Sequence, residues 1–238
     1  LSGSTYSAPR KVRVKVEQTV ANGGVKQSAY ITITQNPGGN VRQGYNTFYQ
    51  FGRKDAFPGT DTTPDGSFNK NGGNNMSVTN GIQHPETFYT WGSTWYSGYN
   101  WVNLWSMDNT TTGFNDNAVV KTIYDPCPAG FHMPASNAFT GFTTNGQNYG
   151  PMNVSGAWDY GFNFNNKISS PDATVYFPAS GYRGYVGSLG AVGYFGFSWS
   201  AVPNNTYYGY FLILNSGNVV PQNTNYRSFG YSVRPVAE

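Results

Sequence analysis

The residues best suited to chemistry in this chain are tyrosines and asparagines, which gather between residues 185 and 226. Tyrosine offers a broad, rigid contact area with a polar tip at low entropic cost, and asparagine adapts its hydrogen bonds. We therefore predict a ligand-binding face made by the C-terminal loops, although ordinary polar loop residues remain an open alternative. The predicted centre of this face is Tyr207, Tyr208, Asn223, Asn225 and Tyr226, and its periphery is Tyr185, Tyr194, Asn204 and Asn205.

Residues for catalysis are sparse, so we predict no enzyme and no catalytic or metal-binding residues. His84 and His132 are the only histidines, and neither HExxH nor CxxC spacing occurs. Cys127 lies between two prolines, which predicts a buried thiol that does no chemistry. Four aspartates could pair for glycoside hydrolysis, but each lies within two residues of Asn, Gly or Pro, which favours turns and caps. They are Asp108, Asp116, Asp159 and Asp172.

Two further groups of residues have a functional and a structural interpretation. Asp61, Asp65 and nearby asparagines supply oxygen ligands in a loop, as calcium prefers, but the EF-hand spacing is incomplete. We therefore predict no cofactor and keep calcium as the alternative. An aromatic cluster could stack on sugar rings or belong to the core. It comprises Trp91, Trp95, Tyr96, Tyr99, Trp101 and Trp105, of which the last two tryptophans are predicted to be a core pair.

Composition limits the classes of protein to which the chain can belong. Its 238 residues suffice for one large domain or two modest ones. With 17% aromatic and 11% charged residues, the chain has the composition of a folded protein. A net charge of +3 is too small to predict a nucleic-acid partner. The sequence contains no apolar run long enough for direct membrane insertion. Since it has no initiator methionine, we expect a piece of a longer precursor.

Alternation of apolar and polar residues predicts an N-terminal strand segment over residues 1–36. Val12, Val14 and Val16 alternate with charged residues, and residues 29–33 repeat the pattern. Because two strands alone are marginal in water, we expect them to pair with each other or with the main sheet, with the valines inward. The segment could be an edge of the main fold, the end of a preceding sandwich domain, or an exchanged strand.

The rest of the chain is predicted to contain two short helices among many short strands. A first helix would run from Asn115 or Asp116 to Ile123, where the following prolines stop it. Ser136 would cap the second helix. Residues 210–220 form the clearest hairpin, since an apolar strand is followed by Asn-Ser-Gly-Asn and a second apolar pair.

Several phrases of the chain resemble the Fibrobacter succinogenes major paralogous domain, a bacterial surface module related to C-type lectin-like folds. They are Asp125-Pro-Cys-Pro128, Phe177-Pro-Ala-Ser-Gly-Tyr-Arg183, Phe197-Ser-Trp-Ser200 and Phe229-Gly-Tyr-Ser-Val-Arg-Pro-Val236, together with residues 49–59 upstream. The resemblance covers residues 45–238. It implies an α+β fold class, with an irregular C-type lectin-like domain of short strands, two short helices and long loops over residues 37–238. In the family, the Asp-Pro-Cys-Pro phrase ends the first helix. The closing family phrase often has a cysteine where this chain has Pro235, which would leave Cys127 without a disulfide partner.

The resemblance also implies a surface-displayed, adhesin-type binding module. The implied setting is the cell surface or extracellular space, in a lipoprotein or at the tip of a fimbrium (pilus). Expected partners are a host or bacterial surface protein or glycan, or other pilus subunits. The Tyr/Asn-rich C-terminal loops are similar in position to those of lectin-like variable proteins that diversity-generating retroelements mutate. Two alternatives remain open, a structural pilus subunit and a polysaccharide-active enzyme.

Overall fold

The computed structural model describes residues 10–14, 17–19, 25–27, 31–35, 46–60, 76–90, 104–107, 113–205 and 207–238, and only the backbone in the first four ranges. The chain divides into two compact units, Leu1–Gly44 and Tyr45–Glu238. No helix in the described ranges is long and apolar enough to cross a membrane.

The first unit contains two antiparallel strand pairs. Its strands are β1 (Arg10–Val14), β2 (Glu17–Thr19), β3 (Val25–Gln27) and β4 (Ile31–Gln35). β1 pairs with β4 and β2 pairs with β3, so the predicted pairing of the N-terminal strands with each other is confirmed. The register places Val12 opposite Ile33 and Val14 opposite Ile31. The predicted inward orientation of Val12, Val14 and Val16 concerns side chains that lie outside the described residues.

The second unit is built from short strands. They are β5 (Thr47–Gln50), β6 (Phe57–Pro58), β7 (Phe131–His132), β8 (Val154–Ser155), β9 (Gly161–Asn165), β10 (Thr174–Pro178), β11 (Tyr182–Arg183), β12 (Leu189–Gly190), β13 (Phe195–Pro203), β14 (Tyr208–Asn215), β15 (Val219–Tyr226), β16 (Gly230–Tyr231) and β17 (Val236–Ala237). The sheets have the orders β12-β11-β16-β5-β6, β10-β9-β8, β13-β14-β15 and β17-β7.

The structure is mostly β, and the predicted α+β class, with its lectin-like arrangement of two short helices, is wrong. The structure is about 37% strand and 8% helix. The helical elements described are α1 (Val78–Gln83) and a 3₁₀ helix (Ser136–Phe142). Sequence reasoning missed α1, although the Ser77 side chain caps it by accepting a hydrogen bond from the Asn80 backbone at 3.0 Å.

The predicted helix from Asn115 or Asp116 to Ile123 does not form. Asn115 Oδ1 instead accepts the backbone N–H of Asn117 at 3.1 Å, a local bond that competes with helical hydrogen bonding. Lys121 then forms an isolated antiparallel bridge with Ser106. The second predicted helix exists as the 3₁₀ helix, but its N-cap position is Ala135 and not Ser136.

The Asp-Pro-Cys-Pro phrase forms a hydrogen-bonded turn and does not end a helix. Asp125 is buried, and its two carboxylate oxygens accept the backbone N–H groups of Cys127 at 2.7 Å and Met133 at 2.9 Å. Lys121 Nζ closes the turn by donating to three backbone carbonyl oxygens, those of Cys127, Pro128 and Phe131. Asp125 and Lys121 therefore have structural roles in this turn.

The sheet β13-β14-β15 lies between two hydrophobic clusters and forms the rigid centre of the second unit. On one face, Trp199 and Phe211 pack with Tyr231 in a first cluster. On the other face, Leu212 and Leu214 pack in a second cluster of mainly phenylalanines. Because β14 is covered on both faces, its sequence reads as a nearly continuous apolar run. The predicted hairpin is confirmed, since β14 pairs with β15 across the turn 215–218.

Candidate ligand-binding surface

Two asparagines organise the turn between β13 and β14. Asn205 Oδ1 accepts the backbone N–H groups of Tyr207 at 2.7 Å and Tyr208 at 3.0 Å. Asn205 Nδ2 donates to Asn204 Oδ1 at 2.8 Å, and Asn204 Nδ2 donates to the Tyr210 hydroxyl at 2.6 Å. Both side chains therefore use their hydrogen bonds inside the protein, as asparagine commonly does in turns. They hold the turn in place, and their role in ligand contact stays a prediction.

The two predicted asparagines of β15 also bond within the protein. Asn225 Nδ2 donates to the hydroxyl of Tyr231 at 2.7 Å, and Asn225 Oδ1 accepts the backbone N–H of Tyr226 at 2.8 Å. Asn223 Oδ1 accepts the backbone N–H of Thr224 at 2.8 Å. Asn225 thus connects the edge of the predicted face to the core residue Tyr231, which is 1% exposed.

Tyr207, Tyr208 and Tyr226 form a contiguous surface, which we call the tyrosine patch. Tyr208 lies directly opposite Tyr226 in the sheet, with ring centroids 4.8 Å apart, and the Tyr207 ring lies 6.4 Å from the Tyr208 ring. Tyr207 is 41% exposed and Tyr226 is 38% exposed. A hydrogen bond with Tyr226 raises the pKa of the Tyr208 hydroxyl. The patch therefore presents apolar ring area together with the hydroxyl groups of the three tyrosines.

The 3₁₀ helix packs on the same sheet face as the tyrosine patch but does not cover the patch. Gln222 Nε2 donates to Asn137 Oδ1 of that helix, and Phe139 of the helix packs with Leu212 and Leu214. Tyr208 shares a strand face with Leu212 and Leu214 because side chains alternate along a strand. The helix thus covers the leucine end of this face, and the tyrosine patch occupies its other end.

Phe114 extends the aromatic surface and was missed by sequence reasoning. Its side chain is 50% exposed, and its ring lies 4.5 Å from the ring of Tyr210. The segment is fixed because the Asn115 backbone N–H donates to Ser136 Oγ at 2.8 Å. No local signal in the sequence could have identified this residue, since its contact with Tyr210 joins distant parts of the chain.

The structure separates Tyr194 from the rest of the predicted face. Tyr194 immediately precedes β13, whereas Asn204 follows it, and the strand has nine residues. At about 3.3 Å per residue, a strand of nine residues spans up to about 26 Å, so Tyr194 and Asn204 lie at opposite ends of β13. Tyr185 lies closer, because its ring packs 5.9 Å from Phe229, whose backbone N–H donates to the Tyr226 carbonyl oxygen at 3.0 Å.

Three of the four aspartates considered for catalysis are described, and each makes local contacts within the protein. Asp116 Oδ2 accepts a hydrogen bond from Asn137 at 3.1 Å. Asp172 pairs with Lys167 at 2.5 Å, and this hydrogen bond is the main cause that lowers the pKa of its carboxyl group. The backbone oxygen of Asp159 accepts the Tyr176 hydroxyl at 2.8 Å. Asp108 lies outside the described residues.

The remaining candidates for chemistry are buried, locally bonded or outside the described ranges. Cys127 is a buried free thiol, as predicted, and burial is the main cause that raises its pKa. His132 Nδ1 lies 2.7 Å from the Met133 carbonyl oxygen. Trp105 is fully buried against Phe51, as predicted for a core residue. Within the described parts of the chain, no group of three or more His, Cys, Asp or Glu could hold a metal ion.

Several predicted features cannot be placed. The loop considered for calcium, residues 61–71, lies outside the described residues. The same holds for the other members of the aromatic cluster, Trp91, Trp95, Tyr96, Tyr99 and Trp101.

Comparisons with known proteins concern the C-terminal part of the chain. A family model described as a domain of unknown function, DUF8237, matches residues 161–236. No curated protein and no solved structure matches the chain. The matched segment begins with β9 and extends to β17, so it contains the sheet β13-β14-β15 and the tyrosine patch. The candidate surface thus lies within a segment that is similar to the DUF8237 family.

Proposed function

We propose that this chain is a non-enzymatic ligand-binding module that presents the tyrosine patch to a partner. The observation that carries the proposal is the position of three adjacent tyrosine rings at the end of a buried, hydrogen-bonded sheet. Tyrosine is enriched at protein interfaces because it buries a large apolar area while its hydroxyl group remains able to hydrogen-bond. A rigid support lowers the entropy lost on binding.

The asparagines support this proposal by holding the tyrosines. Asn205 fixes the backbone N–H groups of Tyr207 and Tyr208, and Asn225 fixes that of Tyr226. The free protein therefore has the backbone of the patch in one arrangement before a ligand arrives. Such preorganisation is typical of binding surfaces with a high share of tyrosine and asparagine.

The shape of the patch favours a macromolecular partner. Two cavities are described in the second unit, and neither is lined by Tyr207, Tyr208 or Tyr226. Small molecules bind mainly in concave sites, whereas flat aromatic surfaces suit proteins and glycans. We propose that the partner is a host or bacterial surface protein or glycan, and that the chain acts as an adhesin displayed at the cell surface. The resemblance of its framework phrases to a bacterial surface module supports this setting.

A binding assay with matched variants tests the proposal. The full chain is screened against a glycan array and against immobilised mucin, collagen and fibronectin, and each positive probe is then titrated. Tyr207→Ala combined with Tyr226→Ala should weaken capture by about 30-fold or more, because buried tyrosine anchors commonly contribute about 2 kcal/mol or more. The stability of the folded protein should change by about 1 kcal/mol or less, since both side chains are partly exposed.

Tyr194→Ala is the matched control. It removes an exposed tyrosine from the opposite end of β13 and should leave capture unchanged. A folded double variant that binds its probe like the wild type would show that the patch is not the binding surface. Equal losses for Tyr194→Ala and the double variant would show that the binding surface extends along the whole strand.

A further inference from the structure

A cavity in the second unit is a further candidate site, and no residue of the tyrosine patch lines it. It is a cavity of about 230 Å³ between the β5 strand, the end of β10, the middle of β13 and the segment after β16. This volume is below the roughly 300–1,000 Å³ typical of pockets for drug-sized ligands, so the cavity suits a single small ring. No function discussed above uses it.

Among the described residues that line the cavity, Arg234 is the only charged one. Its guanidinium carbon lies 5.1 Å from the centre of the Phe177 ring, which orients the group by a cation–π contact. Among the described residues, no carboxylate forms an ion pair with Arg234. The described wall of the cavity therefore carries one positive charge and no acidic side chain.

The same wall contains several residues that carry hydroxyl groups. Ser180, Ser198 and Ser232 line the cavity, and Thr47 lies with them. Ser232 Oγ is buried and has no hydrogen-bond partner within the described part of the chain. Because buried polar groups are nearly always hydrogen-bonded, this hydroxyl group indicates a missing partner.

We infer that the cavity binds an acidic monosaccharide unit, with the carboxylate at Arg234 and the sugar hydroxyl groups at the serines. Arginine matches the planar geometry of a carboxylate with two parallel hydrogen bonds. One guanidinium and several neutral hydroxyl groups suit a monoanion better than a dianionic phosphate, which proteins usually bind with more than one cation or with backbone N–H groups. The wall combines apolar residues such as Phe177 and Val233 with the serines, which suits a sugar, whose ring has both kinds of surface.

Titration of the full chain with D-glucuronate, followed by ligand-observed NMR, tests the inference. D-glucose, inorganic phosphate and the dipeptide Ala-Ala serve as comparison probes for the neutral sugar, the dianion and a peptide carboxylate. Glucuronate should bind at least about tenfold more tightly than each of them, because the charge-assisted hydrogen bonds require both the carboxylate and the sugar hydroxyl groups. Equal binding of glucose, or tighter binding of phosphate or dipeptide, would overturn the inference.

Variants of Arg234 and Ser232 separate binding from folding. Arg234→Gln should weaken glucuronate binding by about tenfold or more, and Arg234→Lys should weaken it less. Lys54→Gln removes the same charge elsewhere on the surface and should have no effect. Ser232→Ala should weaken glucuronate binding without lowering the melting temperature, because its hydroxyl group has no partner in the free protein. Unchanged binding in folded Arg234→Gln protein would refute the assignment.

A variant of the tyrosine patch tests whether the cavity and the patch are separate binding sites. The variant with Tyr207→Ala and Tyr226→Ala should bind glucuronate like the wild type, since neither residue lines the cavity. Loss of glucuronate binding in that variant would contradict a separate site. Failure of the macromolecular binding assay would leave glucuronate binding at the cavity unaffected, so the two proposals can fail independently.

Discussion

Asn225 was predicted to contact a ligand, but the structure assigns it a structural role that mutation can measure. Its Nδ2 donates to the hydroxyl of Tyr231 at 2.7 Å, and Tyr231 is 1% exposed. The Tyr231 ring packs between aromatic neighbours, with centroid distances of 4.4 Å to Trp199 and 4.8 Å to Phe197. A buried hydroxyl group in this position has little room to find another partner.

Asn225→Ala should therefore lower the free energy of unfolding by about 1–3 kcal/mol, the usual cost of a buried polar group that loses its hydrogen bond. For a unit of this size, a loss of about 2 kcal/mol corresponds to a fall in melting temperature of about 4–8 °C. Urea denaturation followed by tryptophan fluorescence measures the change, since Trp199 contacts Tyr231 directly.

A double-mutant cycle distinguishes this hydrogen bond from other effects of the substitution. Tyr231→Phe alone should cost about 0.5–1.5 kcal/mol, because the half-buried Asn225 amide can turn to water. The double variant should be less destabilised than the sum of the single variants by about 1 kcal/mol. Additive effects would show that the hydrogen bond contributes nothing.

Asn223→Ala is the matched control on the same strand. The Asn223 side chain accepts only the neighbouring backbone N–H of Thr224, so its removal should cost about 0.5 kcal/mol or less. If Asn223→Ala and Asn225→Ala were equally destabilising, the particular role of the Asn225 side chain would be refuted. If Asn225→Ala were neutral for stability but reduced ligand capture, the original prediction of a contact residue would be correct.

Three further predictions follow from buried or bridging groups. Cys127 should resist a thiol reagent at pH 8 in the native protein and react at once in denaturant, since burial raises its pKa; rapid native labelling would contradict this. Lys121→Met should lower the free energy of unfolding in urea by about 1–2 kcal/mol, because three carbonyl oxygens lose their donor. Lys167→Met is the control, since it removes an exposed ion pair and should lower the free energy of unfolding by about 0.5 kcal/mol or less. Burial raises the pKa of Tyr231 above its ordinary value of 10.0. Above about pH 10 the folded state therefore retains a proton that the unfolded state loses, and the stability of the folded protein should fall as the pH rises. Tyr231→Phe should reduce this alkaline loss, and an unchanged pH profile would contradict the assignment.

Sequence reasoning succeeded where the signal was local. The hairpin of residues 210–220 was predicted because an apolar strand met a turn of Asn and Gly. The structure confirms the reason, since Asn215 Oδ1 accepts the backbone N–H groups of Gly217 at 2.8 Å and Asn218 at 3.0 Å. Strict alternation likewise predicted the N-terminal strands, and the structure shows that they pair with each other, one of the two pairings left open by the sequence.

Predictions failed where tertiary contacts decided the outcome. The helix predicted from Asn115 does not form, and the backbone N–H groups of Asn115 and Val120 instead donate to Ser136 Oγ and Ser106 Oγ from elsewhere in the chain. Tyr194 is close in sequence to the tyrosine patch but lies at the far end of β13. The link between Asn225 and Tyr231 depends on the turn that follows β15, and composition alone cannot reveal which asparagines bond inward.

Tyrosines and asparagines of the C-terminal loops have different roles, and this limits where substitutions can be tolerated. Asn204, Asn205 and Asn225 hold backbone or core groups, so most replacements there break a hydrogen bond within the protein. Tyr207 and Tyr226 project from the same elements with exposed rings. If these loops vary among copies of the protein, the tyrosine positions should carry the variation. A library randomised at all five positions and selected for protease resistance should accept many residues at the two tyrosines and few at the three asparagines. Equal tolerance at both sets would show that the asparagines do not support the surface.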